Sequence, residues 1–178
     1  MGKTFEKILV CLDGSMFSEG ILPYAVGEAL KFKSRLTLLH VLTCDIPMFA
    51  LPNAEPVRFI PFDLFALEME ERHGRMQSYL EGVTAGLISA GLDAGWVVIS
   101  GRTADVGEVI TQYALSNRFD LIAMATHGYR GLKRFFLGSV SDSVTRKSSL
   151  PVLVLRPGAP APDHDAFECA PDLTFSTN

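Results

Sequence analysis

Met124-Ala-Thr-His-Gly-Tyr-Arg-Gly-Leu-Lys-Arg-Phe-Phe-Leu-Gly-Ser-Val-Ser141 runs from the end of one apolar stretch to the start of a helical one. Phe119 to Met124 is the apolar run, and a helical pattern opens at Gly138-Ser139. Between them lie Gly128, Gly131 and the basic residues Arg130, Lys133 and Arg134. Glycines let a backbone come close to a ligand and turn its N–H groups inward. A helix start adds unpaired N–H donors and the positive end of a dipole. Strand end, glycine loop, basic charge and helix start together describe a phosphate site.

Working outward, apolar and amphipathic runs alternate along the whole chain. Lys7–Leu12 reads as a buried strand that Asp13-Gly-Ser15 ends. A helix capped by Ser15 or Ser18 is expected to reach about Lys33, with Pro23 in its early part, where a missing N–H costs least. Further strands are expected over Arg35–Leu42, Trp96–Ser100, Phe119–Ala125 and Leu150–Leu155. Helices are expected over Asp63–Ala90, Ala104–Ser116 and Ser139–Ser148, with Gly91 as a stop for the first of these. The order β-α-β-α-β-α-β-α-β, with Val/Ile/Leu-rich strands, predicts an α/β fold. Its core is a five-stranded parallel open sheet with helices on both faces. Ligands of such sheets sit beyond the carboxyl ends of the strands, where the strand order reverses. Asp13, His40-Val41, Gly101-Arg102 and Ala125 to Gly128 all fall at such ends.

Residues 43–62 interrupt the alternation. Pro47, Pro52, Pro56 and Pro61 are interleaved with Met48, Phe49, Leu51, Phe59 and Ile60. A loop this long is functional or disordered as a rule. It reads either as a cover over the site or partner surface, or as an insertion packed on the core.

Composition limits the function classes. The chain has 178 residues, 48% of them apolar, which suits one domain with a sizeable core. The formal net charge of −4 resides in residues 157–178, where Asp163, Asp165, Glu168 and Asp172 have no base among them. A neutral remainder argues against broad electrostatic binding of nucleic acid. Cys11, Cys44 and Cys169 have neither metal-ligand nor disulfide-framework spacing. No apolar run approaches the roughly 18 residues of a membrane span, and no signal segment precedes the first strand. The expectation is a cytoplasmic protein with reduced thiols. Residues 1–156 are expected to form the single domain. Pro157-Gly-Ala-Pro-Ala-Pro162 opens a tail expected to be disordered.

Each candidate site residue has a plainer reading. Ser139 is expected as an N-cap, with Asp142 completing a capping-box pattern. Capping is compatible with its hydroxyl and the Val140 and Ser141 amides holding phosphate oxygens. Asp13 is either a turn residue or an acceptor for ribose hydroxyls. His127 is a phosphate donor, a general base or a loop hydrogen-bonder. Arg130, Lys133 and Arg134 form a phosphate clamp or a solvated face. No G-x-x-x-x-G-K-[ST] occurs, and no G-x-G-x-x-G follows the first strand.

With these residues in place, the chain resembles the nucleotide-binding branch of the universal stress protein family, UspA-like in type. That family's motif is G-x2-G-x9-G-[ST] after the fourth strand. Here Ala125-Thr-His-Gly128 is followed by nine residues and then Gly138-Ser139. The resemblance covers about residues 5–156. It implies a Rossmann-like, adenine nucleotide alpha-hydrolase-like sheet and an ATP ligand, with or without Mg2+. It implies that Asp13 holds the ribose and that the Val41 backbone faces the adenine edge. Ala125, His127, Gly128, Gly138, Ser139, Val140 and Ser141 would surround the phosphates. It further implies a homodimer through the fifth strand, Val152–Leu155, and a stress or signalling role with slow or no hydrolysis. An ATPase or phosphotransferase using His127 as base, and a nucleotide-free interaction module, are the alternatives. Ala125 replaces the motif's first glycine. If that position needs positive φ, alanine is strained by about 1 kcal/mol or more. At negative φ the methyl group fits with little loss.

Overall fold

The structure is a computed structural model that describes residues 5–43, 62–101, 105–126 and 138–156. The elements are β1 (Lys7–Cys11), α1 (Met16–Glu19), α2 (Leu22–Phe32), β2 (Arg35–Thr43) and α3 (Phe62–Ser89). They continue with β3 (Ala94–Gly101), α4 (Val106–Ser116), β4 (Leu121–Ala125), α5 (Ser139–Lys147) and β5 (Val152–Leu155). The Pro-rich stretch at 44–61 and the tail at 157–178 lie outside the described residues.

The strands form one parallel sheet in the order β3-β2-β1-β4-β5. Alternating side chains explain why both faces are covered. Ile8 and Val10 of β1 enter one core with Leu36, Leu38 and Ala123, under Leu22, Ala25 and Val26 of α2 and Leu80 and Leu87 of α3. Leu9, Leu39, Ile122 and Met124 enter a second core under Ile110 and Ala114 of α4 and Val144 of α5. The continuous apolar run read at Lys7–Leu12 is thus a central strand buried on both sides. Each fully buried Ile or Leu contributes about 1.5–3 kcal/mol.

The strand order reverses between β1 and β4. Their C-terminal ends lie side by side, with Cys11 paired to Met124. Asp13 follows one end and Thr126 the other.

Two expectations need correction. The first helix is two helices, broken at Gly20-Ile21. Pro23 stands at the start of α2 and has no N–H for the Glu19 carbonyl, so the helical ladder restarts with Ala25 N–H donating to Ile21 C=O at 3.0 Å. Gly20 also lies tight against β5, since a Cβ there would be 3.1 Å from Leu155 Cδ2. The second correction concerns Ser139. It is the first residue of α5 and not its N-cap; Gly138 is the cap, and no side chain caps the helix. Gly138 C=O already accepts from Asp142 N–H at 2.9 Å, and Asp142 pairs with Arg146 one turn on. The capping box is therefore absent. Gly91, at φ 83°, ends α3 as expected.

Candidate functional site

One wall of the reversal point is the turn after β1. Gly14 has φ 81°, which a glycine adopts at little cost and which reverses the chain out of the strand. Asp13 Oδ1 accepts from the Ser15 amide at 3.0 Å and from the Ser15 hydroxyl at 2.6 Å. Ser15 in turn caps α1, its Oγ accepting from Ser18 N–H at 3.1 Å. The Asp13 amide donates to Ser18 Oγ at 3.3 Å. Asp13 is thereby both the turn residue that its neighbours need and an exposed carboxylate just past the C-terminal end of β1.

His40, on β2, fixes this turn from beneath. Its Nδ1–H donates to Leu12 C=O at 2.8 Å, while Leu12 N–H donates to Leu39 C=O at 2.9 Å. That bond sets the tautomer, leaving Nε2 unprotonated in the neutral ring. Burial, the largest influence, lowers the His40 pKa below its ordinary 6.5; the Leu12 carbonyl and Asp13 oppose this, and Arg72 adds to it. Val41 follows as a half-buried β2 residue, paired in register with Ile99 and packed at the rim of the core under α4 and α5.

The opposite wall is built on β4 and α5. Ala125 is the last residue of β4, half-buried and in register with Leu155. Among the described non-glycine residues only Lys33 and Arg118 have positive φ. Alanine at the motif's first position therefore carries no left-handed strain, and only the volume of its methyl group distinguishes it from glycine. Thr126 is buried and ties three elements together. Its N–H donates to Leu155 C=O at 2.9 Å; its carbonyl accepts from Gly138 N–H at 2.7 Å and from Ser141 Oγ at 3.0 Å.

The start of α5 is anchored by these bonds. Ser141 is buried, and its hydroxyl is spent on the Thr126 and Gly138 carbonyls. Ser139 is exposed and Val140 half-buried. The Ser139, Val140 and Ser141 amides lie in the first turn, where a helix offers them no internal acceptor, and they have no hydrogen-bond partner among the described residues. Three N–H donors at a positive dipole end suit an anion. His127, Gly128, Arg130, Gly131, Lys133 and Arg134 lie outside the described residues.

The structure thus brings Asp13, Ala125, Gly138, Ser139, Val140 and Ser141 to the ends of two adjacent strands, with Val41 on the next strand along. Two contributors escaped the sequence reading. His40 was visible only as a residue near a strand end. Asp105 is the N-cap of α4, and its signal was present in Asp105-Val-Gly-Glu108, an acid three residues before a glutamate at a helix start. The helix begins at Val106, two residues later than Ala104.

Comparison with known proteins agrees with this architecture. The model of the universal stress protein family matches residues 4–156. Universal stress protein YxiE of Bacillus subtilis is 28% identical over 152 residues, covering 85% of this chain and 99% of the relative. Among solved structures, hypothetical protein MJ0577 is 26% identical with a TM-score of 0.69, covering 86% of this chain and 97% of that one. A universal stress protein in complex with cAMP aligns at TM-score 0.60 and 17% identity, over 86% of this chain and 98% of its own. A universal stress protein family protein from Arabidopsis thaliana with AMP bound aligns at 0.57 and 19%, over 86% and 93%. With the family's model matching residues 4–156, this chain belongs to the universal stress protein family.

Proposed function

We propose that this protein binds an adenine nucleotide, ATP in the first instance, and acts as a nucleotide-responsive stress or signalling regulator. One observation carries the reading: three first-turn amides of α5, without a partner among the described residues, and an exposed Asp13 belong to the C-terminal ends of the two adjacent strands at the reversal point, β4 and β1. The amides of Ser139, Val140 and Ser141 and the Ser139 hydroxyl hold phosphate oxygens. Asp13 accepts from ribose hydroxyls, and the Val41 backbone lies along the adenine edge. His127 and Gly128 complete the phosphate loop. The site fits the ligand at Ala125, whose backbone is unstrained. Two proteins of the same fold were solved with AMP and with cAMP, which supports the adenine class without fixing the number of phosphates.

Hydrolysis is slow or absent in this reading, with or without Mg2+ on the phosphates. The sequence offers no second acid at a position corresponding to a Walker-B carboxylate, and no residue set to orient a water. Residues 1–156 act as one domain of a cytoplasmic homodimer, joined through β5, which stands at the sheet edge. No helix among the described residues is long and apolar enough to cross a membrane.

Thermal unfolding with and without nucleotide tests the binding. A ligand at about 100 times its Kd stabilises by about 2.7 kcal/mol. For a domain of this size that raises Tm by roughly 5 °C or more. The rise is expected for wild type and not for Gly138→Val; equal Tm values with and without ATP in wild type would remove the reading.

A further inference from the structure

Helix α5 is held from a second direction, by the start of α4. Asp105 is the α4 N-cap, its Oδ1 accepting from Glu108 N–H at 3.0 Å. The same carboxylate reaches across to α5, accepting from Ser143 Oγ at 3.0 Å and from Lys147 Nζ. Lys147 also lies 3.6 Å from Glu108 Oε2. Two residues on, Gly107 is buried against α5: a Cβ there would fall 2.6 Å from Ser143 Cβ and 3.1 Å from Val140 C=O. Val140, Ser143 and Lys147 follow one another at helical spacing, so they form the face that α5 turns to α4.

These contacts do something the Thr126 bonds cannot. Thr126 anchors Gly138 and Ser141 at the sheet, which fixes where α5 begins. The Asp105 brace, one and two turns further along, fixes the direction in which the helix leaves. Together they determine the line along which the Ser139, Val140 and Ser141 amides point. Gly107 permits the close approach, because any side chain there would push Ser143 and the Val140 carbonyl away. The Asp105 carboxyl lies at about 2, held down first by Lys147, then by the Glu108 amide and Ser143, so the brace is charged at neutral pH.

We infer that Asp105 and Gly107 are positioning residues for the phosphate-binding turn, setting the aim of the α5 amides and thereby the preference for ATP over adenosine. The inference rests on the nucleotide reading above and adds residues that touch no part of the ligand. Adenosine uses the Asp13 side of the site and not the α5 amides, so a helix that leaves at the wrong angle weakens ATP and spares adenosine. A loss of general stability makes no such distinction.

Two unrelated changes test it on the full chain. Asp105→Asn keeps a good N-cap but removes the charge that Lys147 holds. Gly107→Ala deletes no hydrogen-bonding group and favours the helix by propensity, yet forces Ser143, and its bond to Asp105, aside. Titrations with adenosine and with ATP are run on each, with circular dichroism to establish folding. Both variants are expected to lose about tenfold in ATP affinity and to hold adenosine within about twofold. Rescue of neither loss is expected from stabilising the protein elsewhere. ATP and adenosine weakened alike, or neither weakened, overturns the inference alone. Absence of ATP binding by wild type overturns the nucleotide reading and takes this one with it.

Discussion

The Gly138 amide donates to the Thr126 carbonyl across 2.7 Å, so the end of β4 and the start of α5 are pinned to each other at the sheet. Thr126 is itself pinned to Leu155 on β5, and Ser141 adds a second bond to its carbonyl. The start of α5 is therefore registered on β4 and β5, and the motif glycine at 138 serves as the hinge pin of the site. Its φ of −59° and ψ of 155° are open to other residues, so left-handed backbone is not what calls for glycine here.

Ser141→Ala removes a buried hydroxyl that donates to two carbonyls, at 3.0 and 2.9 Å. The Thr126 carbonyl keeps its Gly138 partner, so the loss is that of one hydrogen bond. A destabilisation of about 1 kcal/mol is expected by urea denaturation. No measurable change would show that the hydroxyl does not hold α5 to β4.

Thr84→Val should act in the opposite direction. Thr84 is buried in α3, and its Oγ1 has no hydrogen-bond partner among the described residues. Valine keeps the branched shape and removes the stranded hydroxyl, so a gain of about 1 kcal/mol is expected. A loss of stability would reveal a partner for that hydroxyl.

His40 gives stability a pH dependence. Its pKa is lowered in the folded protein, chiefly by burial. The unfolded chain therefore takes up a proton near pH 6.5 that the folded protein refuses until lower pH. Stability falls as pH drops below 6.5, and this contribution levels off once the pH is below the folded value. Denaturation curves from about pH 7.5 to about pH 5 should show a flatter decline for His40→Gln than for wild type. Identical slopes would mean that His40 titrates alike in both states.

The dimer can be tested at Val154. Pro151 and Leu155 turn their carbonyls to β4, accepting from Ile122 and Thr126. In a parallel ladder the alternate residues face the other way, which directs the Val154 N–H to the open edge. Val154→Pro leaves the β4 side intact and removes that donor. Sedimentation should show a dimer for wild type and a shift to monomer for the variant; a monomeric wild type at micromolar concentration contradicts pairing through β5.

Most of the sheet was legible because its residues obey simple periods. Ile8, Leu9 and Val10 are apolar without alternation, which is what a strand covered on both faces requires, and the helices between strands dictated parallel pairing. Asp13, Ala125 and Gly138–Ser141 were legible because strand ends and helix starts carry their own signals. The break at Gly20-Ile21 departs from the single helix that the apolar spacing suggests, because Pro23 begins a second helix and does not sit inside the first. The capping role given to Ser139 failed for a tertiary reason: the Thr126 carbonyl draws in the Gly138 amide, and the helix starts there. His40 and the Asp105–Ser143 contact depend on residues far apart in the chain meeting across elements, which local pattern does not encode.

Calorimetric titration of nucleotide-free protein with ATP and Mg2+, beside Gly138→Val, bears most directly on the proposed site. Wild type is expected to bind one ATP per chain, and Gly138→Val, with an isopropyl group at the mouth of α5, to bind none while remaining folded. ATP binding that survives unchanged in Gly138→Val, or no binding by folded wild type, would contradict a nucleotide held on the α5 amides.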